Sequence, residues 1–328
     1  IPGAGDISGN EAAVEEALED YYSAQAEFKT VDFYEMGSPL RCANPANSPG
    51  SGYADLYQVG HGGAPTGVVL GLITRPLADA DRDGVFNVPY AGYRFDDITQ
   101  DETATAYNYE YEHGISAAPY KYGLTGVYTY VIAPDGKIYK KDQGMQMDPP
   151  TAFPDVVGEG WTLVTTATVT KSERMLNEEA TIQAIQDYLT AQETFRNDDW
   201  YTIGELVYAK TQVMNGEGYR DLHDNTNVPF TANLISQAFA DASVDEMPPV
   251  PMDGFVYEDL DSDVATGGYD PHYEHGLWGG SDAYAQSGWN EFVVDVTGAI
   301  WKKHANAGGG LSKGQQPVPL TTYPDVSA

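Results

Sequence analysis

Asp79-x-Asp81-x-Asp83-Gly84 sets three carboxylates at alternate positions ahead of a glycine, the spacing with which a loop aims hard oxygen ligands at one cation. Asn87 stands where a ninth-position ligand would sit, but Tyr90 holds the twelfth place, which an EF-hand gives to a bidentate Glu. The loop is therefore not an EF-hand, and calcium is the cation its oxygens suit. Asp241 and Asp245 form a reduced counterpart that lacks the glycine. Asp259-x-Asp261-x-Asp263 is a weaker acidic run. His272 and His275 have the spacing of one helical turn but fall where strand or loop is expected, so they read as fold constraints rather than metal ligands. Catalytic patterns are missing. There is no G-x-S-x-G elbow and no H-E-x-x-H helix, and GGGLSKG at residues 308–314 has the wrong order for a phosphate loop. No pair among the 49 acids is singled out for acid–base work, so no enzyme is expected.

Composition narrows the class further. The chain has 328 residues, with 17 Lys+Arg against 49 Asp+Glu and a net charge of −32. Such a surface repels phosphate backbones and anionic headgroups, which excludes nucleic acid as a partner and suits divalent cations or salt. The 24 Tyr, 10 Phe and 5 Trp separate it from a disordered acidic tail, because these rings need packing partners. Cys42 stands alone, which rules out an internal disulfide, a thiolate cluster and c-type haem attachment. The start at Ile1-Pro2-Gly3 reads as a mature secreted chain, placing it outside the cell or on its surface. The longest apolar run, residues 67–73 (GVVLGLI), has the length of a buried strand and falls far short of the ~20 residues that span a bilayer.

The positions that could do chemistry sit inside a repeat. Asn10, Glu11, Asp20, Tyr21, Gln25 and Phe28 return 167 residues later as Asn177, Glu178, Asp187, Tyr188, Gln192 and Phe195. Further on the offset settles at 162, carrying Tyr111-Glu112-His113-Gly114 to Tyr273-Glu274-His275-Gly276 and Lys140-Lys141 to Lys302-Lys303. This order divides the chain into repeats at 1–158 and 171–328, with a β-rich connector at 159–170. Each repeat should open with a helix. Ser8-x-x-Glu11 fits a capping box in the first, Thr170-x-x-Glu173 offers a cap in the second, and Val14, Leu18, Tyr21 and Phe28 share one face. Alternation at Tyr107, Tyr109 and Tyr111 predicts a strand. Residues 127–132 and 137–140 predict a hairpin turning at Pro134-Asp135-Gly136, matched by 292–296 and 299–302. A helix followed by antiparallel strands gives an α+β domain, present twice.

The order of these pieces, at residues 10–28, 52–56, 92–95 and 128–138 and again at 177–195, 218–222, 254–257 and 292–300, resembles the soluble headpiece of bacterial type IV pilin-like and pseudopilin-like proteins. The resemblance implies a helix packed on an antiparallel sheet and raises the expectation of calcium in a loop between strands. The family's long apolar N-terminal helix is not matched ahead of Asn10 or Asn177. Self-assembly into a filament or surface layer would then use headpiece surfaces, the termini, or the connector, with Trp161, Leu163, Val164 and Val169 as strand contacts. The alternative is a secreted or periplasmic module that binds calcium or a glycan, the glycan on Trp278, Trp289 and Tyr284.

Overall fold

A computed structural model describes residues 6–31, 33, 42–43, 52–59, 61, 69–108, 112–209, 216–228, 230–244, 248–260, 262–263, 267–268, 274–295, 297–305, 317 and 322–323. Tyr109, Tyr111, Asp245, Asp261 and His272 lie outside these residues. The chain divides into two units, Ile1–Lys171 and Ser172–Ala328. Each is α+β, with a long helix at its start and an antiparallel sheet.

In the first unit, α1 (Ile7–Phe28) buries Val14, Leu18, Tyr21 and Phe28, the stripe its spacing predicts. Its cap is Asp6 rather than Ser8. Asp6 Oδ1 accepts from Gly9 N at 2.9 Å and from Ser8 Oγ at 3.0 Å. A carboxylate is the stronger acceptor for the positive helix end, so the helix starts before the serine. A short helix α2 (Arg75–Ala78) precedes the sheet. The sheet comprises β1 (Tyr93–Asp97), β2 (Ile115–Pro119), β3 (Tyr128–Ile132), β4 (Lys137–Asp142) and β5 (Thr162–Thr166), in that spatial order and antiparallel throughout. The β3–β4 hairpin turns where the sequence places it, with Gly136 at φ +82°. Residues 159–170, read above as a connector, belong to this unit, because β5 pairs with the outer edge of β4. After β5 the chain returns to α1, where Thr170 N donates to Ser23 Oγ at 3.0 Å.

One strand expectation fails here, and of another only Tyr107 is described. Residues 69–73 of the apolar run are not a strand. Leu70 N and Gly71 N both donate to Tyr57 O, at 2.8 and 3.0 Å, and Leu72 N donates to Leu56 O at 2.9 Å, which ties the run to residues 56–57 without a regular ladder. Tyr107 is buried but lies in a loop, and its N–H donates to Thr99 O at 2.9 Å.

In the second unit, α3 (Glu173–Arg196) is capped by Ser172, whose Oγ accepts from Met175 N at 3.2 Å. Thr170 therefore lies outside the helix, and the nearer serine supplies the cap. A two-stranded ribbon, β6 (Asp224–Asn225) with β7 (Phe230–Thr231), and a short helix α4 (Gln237–Asp241) follow. The main sheet contains β8 (Phe255–Asp259), β11 (Gly276–Ser281), β12 (Asn290–Asp295) and β13 (Ile300–His304), in the order β13-β12-β11-β8. β9 (Ser262–Asp263) sits between β10 (Gly267–Gly268) and β14 (Thr322–Tyr323). Ile185, Tyr188 and Phe195 of α3 share one core with Phe255, Tyr257, Leu277 and Phe292 of the sheet. Burying those side chains holds helix to sheet, each contributing roughly 1.5–3 kcal/mol before chain entropy is counted.

Equivalent side chains tie both units in the same way. Gln25 Nε2 donates to Ala43 O at 3.1 Å while its Oε1 accepts from Ala43 N at 2.9 Å. Gln192 does the same to Ala209, at 3.0 and 2.9 Å. Asn10 Nδ2 donates to Thr125 O and Asn177 Nδ2 to Ser287 O, at 2.9 and 3.0 Å. Glu11 Oε1 accepts from Val127 N and Glu178 Oε1 from Trp289 N, at 3.1 and 2.7 Å. The repeated polar residues of the helices are thus anchors for backbone that would otherwise be buried without partners.

Candidate functional site

Asp79 caps the C-terminal end of α2, beside His61 Nε2 at 2.8 Å and Arg75 Nε at 3.4 Å. Two residues on, Asp81 is buried, its Oδ1 accepts from Asp83 N at 3.1 Å, and burial pushes its carboxyl up to about 6. Asp83 points to solvent and engages Arg82 Nε at 3.1 Å. Asn87 adopts φ +44° and its Oδ1 is buried without a hydrogen bond among the described residues. The loop is fixed to β1 through backbone bonds, Arg82 N to Phe95 O at 2.8 Å and Phe95 N to Ala80 O at 3.0 Å. Its carboxylates turn to separate partners, and among the described residues there is no group of three or more acidic, His or Cys side chains placed to hold a metal ion. Asp241 ends α4 and accepts from Gln237 Nε2 at 2.7 Å.

Several acids hold the fold. Asp97 accepts from Tyr53 N at 3.0 Å and Asp259 from Tyr219 N at 2.7 Å, while each tyrosine hydroxyl donates to a carbonyl beyond, Leu77 O and Phe239 O, both at 3.0 Å. Burial raises the Asp97 carboxyl well above the carboxylate range. Asp221 accepts from Tyr201 Oη, from Glu217 N at 2.9 Å and from Asn225 Nδ2 at 2.6 Å, yet burial still pushes it up to about 7. His113 packs against Tyr21, ring centres 5.5 Å apart, and burial lowers its basicity to about 3. His275 packs likewise on Tyr188, at 5.5 Å. The recurring histidine is a core ring set against the helix. Trp278, Trp289 and Tyr284, the set a sugar pocket would have used, are at most 1% exposed and belong to the interior.

The four proposed contact residues fall at one border of the first unit. Trp161 stands just before β5, Leu163 and Val164 are within it, and Val169 follows it. β5 ends the spatial order of the sheet, so among the described residues its outer edge is unpaired. Leu163 is 50% exposed, and the strand TLVTT carries no charge or proline to discourage pairing. Beside it opens a cleft of about 420 Å³, walled by Trp161, Phe153 and Met147 and rimmed by Asp101, Glu102, Asp148, Asp155 and Glu159. Trp161 Nε1 donates to Glu159 Oε2 at 3.3 Å, and Lys141 Nζ reaches the same carboxylate at 3.4 Å. This cleft was missed by the motif reading, since its walls come from residues 101 to 161 and show no local pattern.

Residues 5–153 match a family described only as a protein of unknown function, DUF2950. That match covers the first unit from α1 to the cleft and ends before β5. No curated protein and no solved structure matches the chain.

Proposed function

We propose that this chain is an extracellular structural subunit, built of two copies of a pilin-like headpiece domain and assembled into a filament or surface layer. The observation that carries the reading is the outer edge of β5, an uncharged, β-branched strand with Leu163 exposed at the end of its sheet. Such an edge recruits a further strand from another chain by main-chain hydrogen bonds. The duplication is supported by the paired anchors at Gln25 and Gln192, Asn10 and Asn177, and Tyr53 and Tyr219. A contact between unlike surfaces of successive chains propagates as an open filament. The net charge of −32 opposes it, so salt or divalent cations should favour assembly. Light scattering over a concentration and salt series tests this; a single chain under every condition would refute it.

A second reading, a secreted or periplasmic glycan-binding module, draws on the cleft beside β5. An indole wall with several carboxylates around it can stack a sugar ring and accept its hydroxyl protons. Titration with neutral oligosaccharides against the native chain and Trp161→Ala separates it from assembly. Saturable binding lost in the variant supports a glycan site, and no heat or shift in either removes it.

A further inference from the structure

The second unit contains an open groove of about 480 Å³ between one face of α3 and the loop bearing Met252 and Asp253. Its floor is apolar, formed by Ala184, Ala191, Ile235 and Phe239, and its rim carries Asp187 and Asp253. Among the described residues no lysine or arginine lines it. The volume lies within the roughly 300–1,000 Å³ of sites for small ligands.

The first unit shows what this place accommodates. By the offsets of the repeat, Asp187 corresponds to Asp20, Met252 to Tyr90 and Asp253 to Ala91. Tyr90 and Tyr93 exchange backbone bonds, at 2.9 and 2.8 Å, as Met252 and Phe255 do at 3.0 and 3.0 Å, and the Tyr90 ring centre lies 6.4 Å from that of Phe95. The first unit thus sets an aromatic ring of its own on the backbone position that Met252 holds at the groove. In the second unit the ring is replaced by an unbranched thioether, which adapts to a guest. The rim also gains a carboxylate on the same backbone, since Ala91 and Asp253 have φ of +47° and +49°. One copy supplies its own ring, and the other offers the space together with two negative charges.

We infer that this groove binds a small aromatic amine, the ring taking the place that Tyr90 holds in the first unit and the ammonium meeting Asp187 and Asp253. An ammonium donates to carboxylates in charge-assisted hydrogen bonds, and an apolar floor of alanine and phenylalanine accepts the ring. The inference does not depend on whether chains assemble.

Calorimetric titration of the full chain with tyramine tests it, with 3-(4-hydroxyphenyl)propionate as the equal-sized anionic control. The variants are Met252→Tyr, which fills the groove as in the first unit, and Asp253→Ala, which restores the residue that unit carries at this turn. Both import side chains already accepted on equivalent backbone, and a thermal melt verifies each. Saturable binding of one tyramine per chain is expected, lost in Met252→Tyr and weakened about tenfold in Asp253→Ala and for the anionic control, as expected for loss of a charge-assisted contact. Absence of saturation at about 10 mM, a concentration that would reveal even a millimolar site, overturns the inference. So does equal binding of the two ligands, or tyramine binding unchanged in either folded variant.

Discussion

Gln192 lies fully buried on α3 and satisfies both polar groups of one residue, Ala209, which is itself inaccessible to solvent. Replacing it with Ala removes both hydrogen bonds and leaves a buried N–H and a buried C=O without partners. Each orphaned group costs about 1–3 kcal/mol, so the pair amounts to roughly 3–5 kcal/mol once partial relaxation is allowed. Gln192→Leu fills the volume without restoring the bonds and should lose nearly as much, which separates the polar effect from the cavity. Four of the five tryptophans, Trp200, Trp278, Trp289 and Trp301, belong to the second unit, so fluorescence during urea unfolding follows it selectively. With a slope of about 2 kcal/mol per molar urea, either variant should lower the midpoint by about 1.5–2.5 M. A shift below about 0.5 M in the alanine variant, or a leucine variant as stable as the native chain, would refute the claim that this side chain anchors the segment.

Further outcomes follow from the same geometry. Burial raises the carboxyls of Asp221 and Asp96 to about 7 and that of Asp81 to about 6, so each holds its proton to higher pH folded than unfolded. Stability should therefore fall as pH rises from about 4 to about 7, by on the order of a few kcal/mol, with melting temperature in this interval highest near pH 4 and the dependence in the second unit reduced in Asp221→Asn. A flat or rising profile over this range would contradict the assignment. Cys42 is inaccessible and its thiol is pushed up to about 11 by burial, so a thiol reagent should label it only in denaturant; rapid labelling of the native chain would place it elsewhere. Gly136→Ala forces a Cβ to within 2.8 Å of Ala167 O at φ +82°, whereas in Gly298→Ala, at φ +77°, the nearest atom is 3.8 Å away. Urea midpoints should show the first losing about 2–3 kcal/mol and the second about 1 kcal/mol, and equal losses would refute the steric argument.

What the sequence revealed and concealed follows from the range of the forces involved. The helix stripe at Val14, Leu18 and Tyr21 and the turn at Gly136 are written in spacing and in one residue's φ, so both were legible. The start of α1 was misplaced by two residues, because Asp6 and Ser8 are both good caps and the choice rests on which reaches Gly9 N. Residues 162–166 read as strand, but nothing in TLVTT says that they would pair with β4. The Asp79-x-Asp81-x-Asp83 spacing shows three carboxylates in a row but not their partners in the fold, where His61, the Asp83 N–H and Arg82 each take one. The groove of the second unit was visible in principle, since Tyr90 against Met252 and Ala91 against Asp253 are differences between aligned repeats. Seeing a space in them requires knowing that Met252 and Asp253 face α3 across the groove.

The claim that the edge of β5 joins chains into an assembly is tested most directly by electron microscopy of the full chain beside Leu163→Lys. Leu163 is half exposed, so a lysine there should leave the fold intact while placing a charge on the pairing edge. The native chain should form ordered polymers, and the variant should remain as single chains with an unchanged melting temperature. Polymers of the variant indistinguishable from the native ones, or no polymer from the native chain at any salt concentration, would contradict the account.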